Sequence, residues 1–168
     1  MPLTTISHVP GRMAGFLAKG LPSDFGERTL RADFLDAHER HLDDAERLFQ
    51  AGRLANADHL YGMASECGLK RLMAAFGMAV DPATGDPVDR NRDRKHANEI
   101  WMRFESYRNG HPHGTGYQLP DPNPFGDWKA EQRYAHHGSF DAVRVDPHRN
   151  GAQVVRELIR KAQREGLI

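Results

Sequence analysis

Residues 41–73 read HLDDAERLFQAGRLANADHLYGMASECGLKRLM, and two helices are written into them. Leu42, Ala45, Leu48 and Phe49 recur at three- and four-residue steps while Asp43, Glu46 and Arg47 take the other side, the pattern of a helix with one buried face. The same period starts upstream with Leu30, Phe34 and Ala37, and Asp24 followed by Glu27 has the form of a capping box. The spacing therefore predicts a first helix from about Asp24 to Ala51, ended by Gly52. Beyond it, Ala57, Leu60, Tyr61, Ala64, Cys67, Leu72 and Phe76 form one stripe, with Met63, Leu69 and Met73 beside it. So wide an apolar surface predicts a second helix, Leu54 to Met78, lying centrally and buried on two sides. Only Gly52-Arg53, or a residue or two more, separates the pair, which forces an antiparallel hairpin.

Working outward, AVDPATGDPVDRNRD (79–93) is a loop by its Pro, Gly and Asp content. A third helix resumes near Arg94, places Ala97, Ile100, Trp101, Phe104 and Tyr107 inward, and stops at Asn109-Gly110. The segment NGHPHGTGYQLPDPNPFGD (109–127) is too rich in Gly and Pro for a helix, and loops of that length inside a domain are usually functional or disordered. A short helix over Trp128 to His137 and a final one over Gly151 to Glu165, with Val154, Val155, Leu158, Ile159 and Ala162 inward, complete the chain. There is no strand pattern and no internal repeat. The expected fold is an all-α antiparallel bundle of about five helices. It occupies residues 24–168 and follows an irregular N-terminal arm over 1–23, which either packs through Met13, Phe16 and Leu17 or is a partly ordered tail.

At 168 residues the chain suits one compact domain. Lys and Arg number 23 against 23 Asp and Glu, which excludes a tail-driven polyanion binder, so any contact with nucleic acid must be local. The single Cys67 supplies neither an internal disulfide nor a thiolate zinc cage. The first residues are interrupted by Pro and Gly, and no spanning segment follows, so a cytoplasmic chain with no membrane partner is expected. The P-loop pattern is missing, and GTGYQL lacks the third Gly and the strand-to-helix setting of a dinucleotide site. A kinase or Rossmann enzyme is thereby disfavoured, and no cofactor is expected.

Candidate chemistry lies in FESYRNGHPHGTGY (104–117), where Arg108 and Asn109 end the third helix and His113 follows. Metal-independent cleavage of RNA needs a group that titrates near neutrality to move the 2′-OH proton, and a fixed positive charge on the phosphorane; imidazole and guanidinium fill those roles. The plainer reading is that Arg108 complements the helix macrodipole and His113 is solvated. DRNRDRKH (89–96) is the dense basic run, and Arg92, Arg94, Lys95 and His96 are candidate phosphate contacts, or else a solvated helix start. Arg133, flanked by Trp128 and Tyr134, is a further RNA-binding candidate, although such aromatics more often pack. Glu66 and Lys70 are first an i,i+4 helix pair. His111, His113, His136, His137 and His148 lack the H-E-x-x-H helix and the carboxylate spacing of a metal site, so no metal is expected.

The 41–73 run also resembles the opening helix pair of the HEPN superfamily, whose hairpin ends in an Ala-x-Glu-x-x-x-Lys-like turn, matched here by Ala64, Glu66 and Lys70. KHANEIWMRFESY (95–107) is similar to the third HEPN helix, often opened by a His, here His96. The similarity covers about Asp33 to Tyr107 well and the remainder loosely. Many HEPN proteins are metal-independent endoribonucleases of toxin or defence type. They carry an Arg, a polar residue and a His, act as homodimers, and are often paired with an antitoxin. On that pattern the resemblance implies His113 as acid/base, Arg108 holding the phosphate and Asn109 orienting it, with RNA as partner. Gly110 and Pro112 break the helix on which active members carry this motif. In addition, NPFGDWKAEQRYAHHGSF (123–140) resembles a bacterial HEPN-like subgroup without an established nuclease activity. The alternative expectation is a catalytically silent HEPN-like module that binds a nucleotide or a partner protein.

Overall fold

The computed structural model describes residues 30–168, so the arm over 1–23 and the Asp24/Glu27 capping box lie outside the described residues. The first helix, α1 (Phe34–Gln50), begins later than the periodicity suggests. Asp33 is its N-cap, its carboxylate accepting from the Leu35 and Asp36 N–H groups at 3.1 Å each. Residues 31–33 are instead non-helical and run past the 79–88 loop, where the Ala32 N–H donates to the Thr84 carbonyl at 2.7 Å. Gly52, at φ +70°, ends α1 by a turn closed by Arg53 N–H on the Leu48 carbonyl at 2.8 Å. The central helix α2 (Leu54–Ala75) follows directly and stops short of Met78, because Gly77 at φ +101° lets the Met78 N–H return to the Met73 carbonyl.

The basic run 89–96 does not open a continuous helix. It forms the single turn α3 (Arg90–Asp93), capped by Asp89, then breaks before α4 (Ala97–Asn109). The segment 128–137 is not an α-helix either, but a pair of 3-10 turns, Ala130–Tyr134 and His137–Ser139. The last helix, α5 (Ala142–Arg164), begins well before Gly151, capped by the Asp141 carboxylate on the Arg144 N–H at 3.0 Å. It accommodates Pro147 in its second turn: the ring removes one donor to the Val143 carbonyl, and Val143 is exposed, so water can satisfy that group.

The five helices form an all-α bundle with α2 at its centre, packed against α1, α4 and α5. Val80 and Pro87 make an isolated antiparallel bridge, and no strand occurs among the described residues. Tyr61, Leu69, Leu72 and Met73 of α2 are fully buried against Leu42, Ile100, Phe104, Val155 and Ile159. The Gly- and Pro-rich stretch between α4 and α5 is part of this core: Tyr117, Phe125 and Trp128 are fully buried. Two helical glycines make room for it. A Cβ on Gly62 would overlap the Trp128 indole, and one on Gly151 would meet Pro124 Cγ at 2.6 Å and Phe125 Cε2 at 2.7 Å. No described helix is long and apolar enough to cross a membrane.

Candidate functional site: an imidazole-rich cleft on the central helix

A helix buried on several sides has little tolerance for charge, yet α2 carries Asp58, Glu66 and Lys70, all buried. Ionised groups in such a place need partners, and the partners define the site. Glu66, 7% exposed, accepts from the Lys70 ammonium at 2.6 Å through Oε1 and lies 3.0 Å from His96 Nδ1 through Oε2. Lys70 also sits 5.8 Å from the Phe34 ring centroid. His96 is the N-cap residue of α4 but does not cap it with its side chain, which leaves the ring to Glu66 while more than half of it faces solvent.

Trp128 links this group to a second imidazole. The His59 ring stacks on the indole at 5.6 Å and 16°, and His96 leans on the same indole at 6.4 Å. His59 Nδ1 is buried without a hydrogen-bond partner among the described residues. Burial, reinforced by the positive charge of Arg133, holds His59 below the ordinary imidazole range, while Asp58 and Glu66 pull weakly the other way. His41 is likewise lowered, by burial and then by Arg40. Both rings are therefore neutral at neutral pH. Arg133 is exposed, lies over the Tyr134 ring at 4.8 Å, and makes no salt bridge among the described residues.

Of these groups, His59 and Arg133 line a cleft of 380 Å³ between α2 and the 128–138 turns, together with Asn56, Leu60, Gln132 and His137 among others. It continues along the first turn of α2 into a 350 Å³ hollow that shares Asn56 and His137 with it and reaches Arg53 and Phe140. No acidic residue occupies the first turn of α2, and its N-cap makes no side-chain capping bond, so the helix dipole adds to the positive potential there.

The wall opposite α2 is held from beneath. The Asp58 backbone carbonyl accepts from Trp128 Nε1 at 3.1 Å, and its carboxylate accepts from the Gln132 amide and lies 2.6 Å from His148 Nδ1. His148 Nε2 is 3.0 Å from Asp127 Oδ1, and the Phe125 ring stacks on the imidazole at 5.2 Å and 10°.

The residues suggested by the motif after α4 are placed elsewhere. Arg108 is 9% exposed, and protein groups occupy its guanidinium: Nε and Nη2 bond to the Glu105 carboxylate, and Nη1 donates to the Gly114 carbonyl at 3.3 Å. It pins the turn that leaves α4. Asn109 is exposed, and His113, also exposed, lies 5.5 Å from the His111 ring and borders a different hollow, of 560 Å³, with Lys161 and Glu165. Of the basic candidates, Arg133 lines the cleft, and His96 lies next to it against the Trp128 indole on which His59 stacks. Arg92 pairs with Asp89 at 3.7 Å on α3, Arg94 with Asp86 at 2.8 Å, and Lys95 with Glu99 at 3.2 Å at the start of α4. Such surface pairs are loose enough to be exchanged for a phosphate.

Sequence reasoning missed His59, Asp58 and the role of His148. The available signal was the presence of Asp, His, Glu and Lys on a helix predicted to be buried on two sides, each of which must find a partner inside the fold. Among the described residues no group of three or more His, Cys, Asp or Glu is arranged to hold a metal ion. Cys67 is buried, and burial pushes its thiol up to about 12, which leaves it unreactive.

No family model, curated protein or solved structure matches the chain.

Proposed function

We propose that this chain is a HEPN-like helical module that binds a phosphate-bearing ligand, a nucleotide or a single RNA strand, in the cleft between α2 and the 128–138 turns. The observation that carries this reading is an exposed Arg133 that makes no salt bridge among the described residues and lines the same cleft as His59 and Gln132. A guanidinium forks onto two phosphate oxygens, and the Gln132 side chain lines the same cleft as a polar neighbour. His96, oriented by Glu66 and exposed on its outer side, offers another cation when protonated. A chain with no net charge binds through such a local cluster rather than through its overall field.

A second reading, metal-independent cleavage of the bound strand, is favoured by one observation: burial holds His59 below the ordinary imidazole range, so that it is neutral, as a general base must be. The endoribonuclease assignment to Arg108, Asn109 and His113 requires the Arg108 guanidinium to leave Glu105, for instance in a homodimer or with an antitoxin-like partner.

The test is fluorescence anisotropy with a labelled single-stranded oligoribonucleotide, competed with ATP and with inorganic phosphate, in EDTA, with the products examined for 2′,3′-cyclic ends. Arg133→Ala and His96→Gln each lie at exposed positions and should weaken binding about tenfold, the worth of one charge-assisted hydrogen bond. Equal affinity in wild type and both variants overturns the cleft as the binding site. Cleavage that survives both variants but disappears in His113→Ala returns the chemistry to the segment after α4.

A further inference from the structure

Beneath the cleft, one imidazole is held between two carboxylates. His148 is fully buried on α5, with Asp58 of α2 at 2.6 Å from Nδ1 and Asp127 of the connecting segment at 3.0 Å from Nε2. A neutral imidazole carries one ring N–H and one lone pair. Facing carboxylate oxygens on both sides, the neutral ring would set a lone pair against an anion, so with both carboxylates ionised the geometry favours the imidazolium. The other groups around it are accounted for. From its own helix, Arg144 bonds to the second oxygen of Asp127 at 2.9 Å; from the segment, the Gln132 amide binds Asp58 and the Phe125 ring covers the imidazole face.

The two carboxylates are not equivalent. Asp58 is fully buried, whereas the Asp127 side chain is 62% exposed. When the ring loses a proton, the remaining one stays on Nδ1, because Asp58 has no route to water. The bare Nε2 then repels Asp127, which turns outward. Asp127 directly precedes Trp128, and Asp58 also holds Gln132, so this is the point at which the cleft's outer wall is fastened to the bundle.

We propose that the proton on His148 is a latch: while it is present the 125–137 segment is drawn onto α2 and α5, setting Gln132 and Arg133 at the cleft, and its loss frees the segment and lowers affinity for the phosphate ligand. His148 and Asp127 are thus positioning residues that act through Trp128, Gln132 and Arg133. Burial alone would lower the imidazole, but hydrogen bonds and charge from Asp58 and Asp127 outweigh it and raise it above its ordinary value. The latch is therefore closed below that raised value and opens as pH rises through it. The ligand part of this inference rests on the cleft reading; the movement of the segment does not.

The experiment follows the His148 ring nitrogens and the Trp128 indole N–H by NMR between pH 5.5 and 9.5 in the free protein, for wild type and Asp127→Asn, and measures anisotropy of the same labelled oligoribonucleotide across that range. Asp127→Asn changes an exposed side chain and keeps an acceptor, so the fold persists while one of the two charges is removed. The expected result is a shared midpoint for ring and indole above about 6.5. It should move down in Asp127→Asn, which removes one of the two charges that raise it, with RNA affinity falling several-fold through the same midpoint. An imidazole that titrates at or below its ordinary value, an indole that ignores it, or a midpoint indifferent to Asp127→Asn overturns the latch. RNA binding that stays flat across the midpoint overturns its control of the cleft. No RNA binding at any pH defeats the cleft reading, while the ring and indole data still decide the latch.

Discussion

Gly62→Ala sets two effects of known size against each other. Ala is favoured over Gly within a helix by about 1 kcal/mol, so an uncrowded position would gain that much. At Gly62 the added Cβ would overlap the Trp128 indole, lying 2.5 Å from Cζ2 and closer to two other ring atoms. Trp128 is fully buried and cannot swing away without losing its bond to the Asp58 carbonyl. Overpacking of this kind costs about 1–3 kcal/mol, and the broken indole bond about 1 kcal/mol more. The expected outcome is a net loss of about 1–3 kcal/mol in urea unfolding followed by far-UV circular dichroism, with an unchanged m-value. In a Trp128→Phe background, where the smaller ring leaves space, the same substitution should be close to neutral, giving a coupling energy of at least about 1 kcal/mol in the double-mutant cycle. A Gly62→Ala protein that is more stable than wild type, by a similar amount in both backgrounds, would refute the placement of the indole against α2 and with it the wall of the cleft.

Further expectations concern parts of the fold outside that contact. Arg108→Ala strands a Glu105 carboxylate and the Gly114 carbonyl and should destabilise the protein by about 2–4 kcal/mol, whereas His113→Ala, at an exposed site, should stay within about 0.5 kcal/mol of wild type in the same unfolding assay. Glu46→Gln weakens a junction in which one carboxylate accepts from Arg149 at 2.7 and 3.0 Å, Gln153 at 2.8 Å and Tyr61 at 3.2 Å; a loss of about 1–3 kcal/mol is expected. His38, fully buried, is lowered by burial despite its 2.8 Å bond to the Ala64 carbonyl. Its contribution is present above about 6.5 and is lost as pH falls through the folded value, at no more than about 1.4 kcal/mol per pH unit. Denaturation midpoints that do not fall as pH is lowered below about 6.5 would contradict that sign.

The α1–α2 hairpin could be read from its residues because every local signal agreed: the apolar period, the short connection and a Gly at the turn. The ends of elements were harder. Pro147 and Gly151 both look like breakers, yet α5 runs through them, since Asp141 caps it and the bare backbone at Gly151 is where Phe125 packs. The long segment after α4 reads by its Gly and Pro content as a functional or disordered loop, but Tyr117, Phe125 and the adjoining Trp128 reach the core, a long-range effect that no local window contains. The same holds for the site. Glu66 and Lys70 are visible as a helix pair, while His96 joins them from 30 residues away and Asp58 meets His148 across 90. Such pairings are settled by tertiary packing, and only the demand that buried charge be matched hints at them beforehand.

The central claim, that phosphate is bound on the central helix and not after α4, is tested most directly by two-dimensional NMR of the histidine rings during titration with the oligoribonucleotide. Saturable shifts of the His59 and His96 ring signals, with His111 and His113 unmoved, are predicted. Shifts confined to His111 and His113 would contradict it.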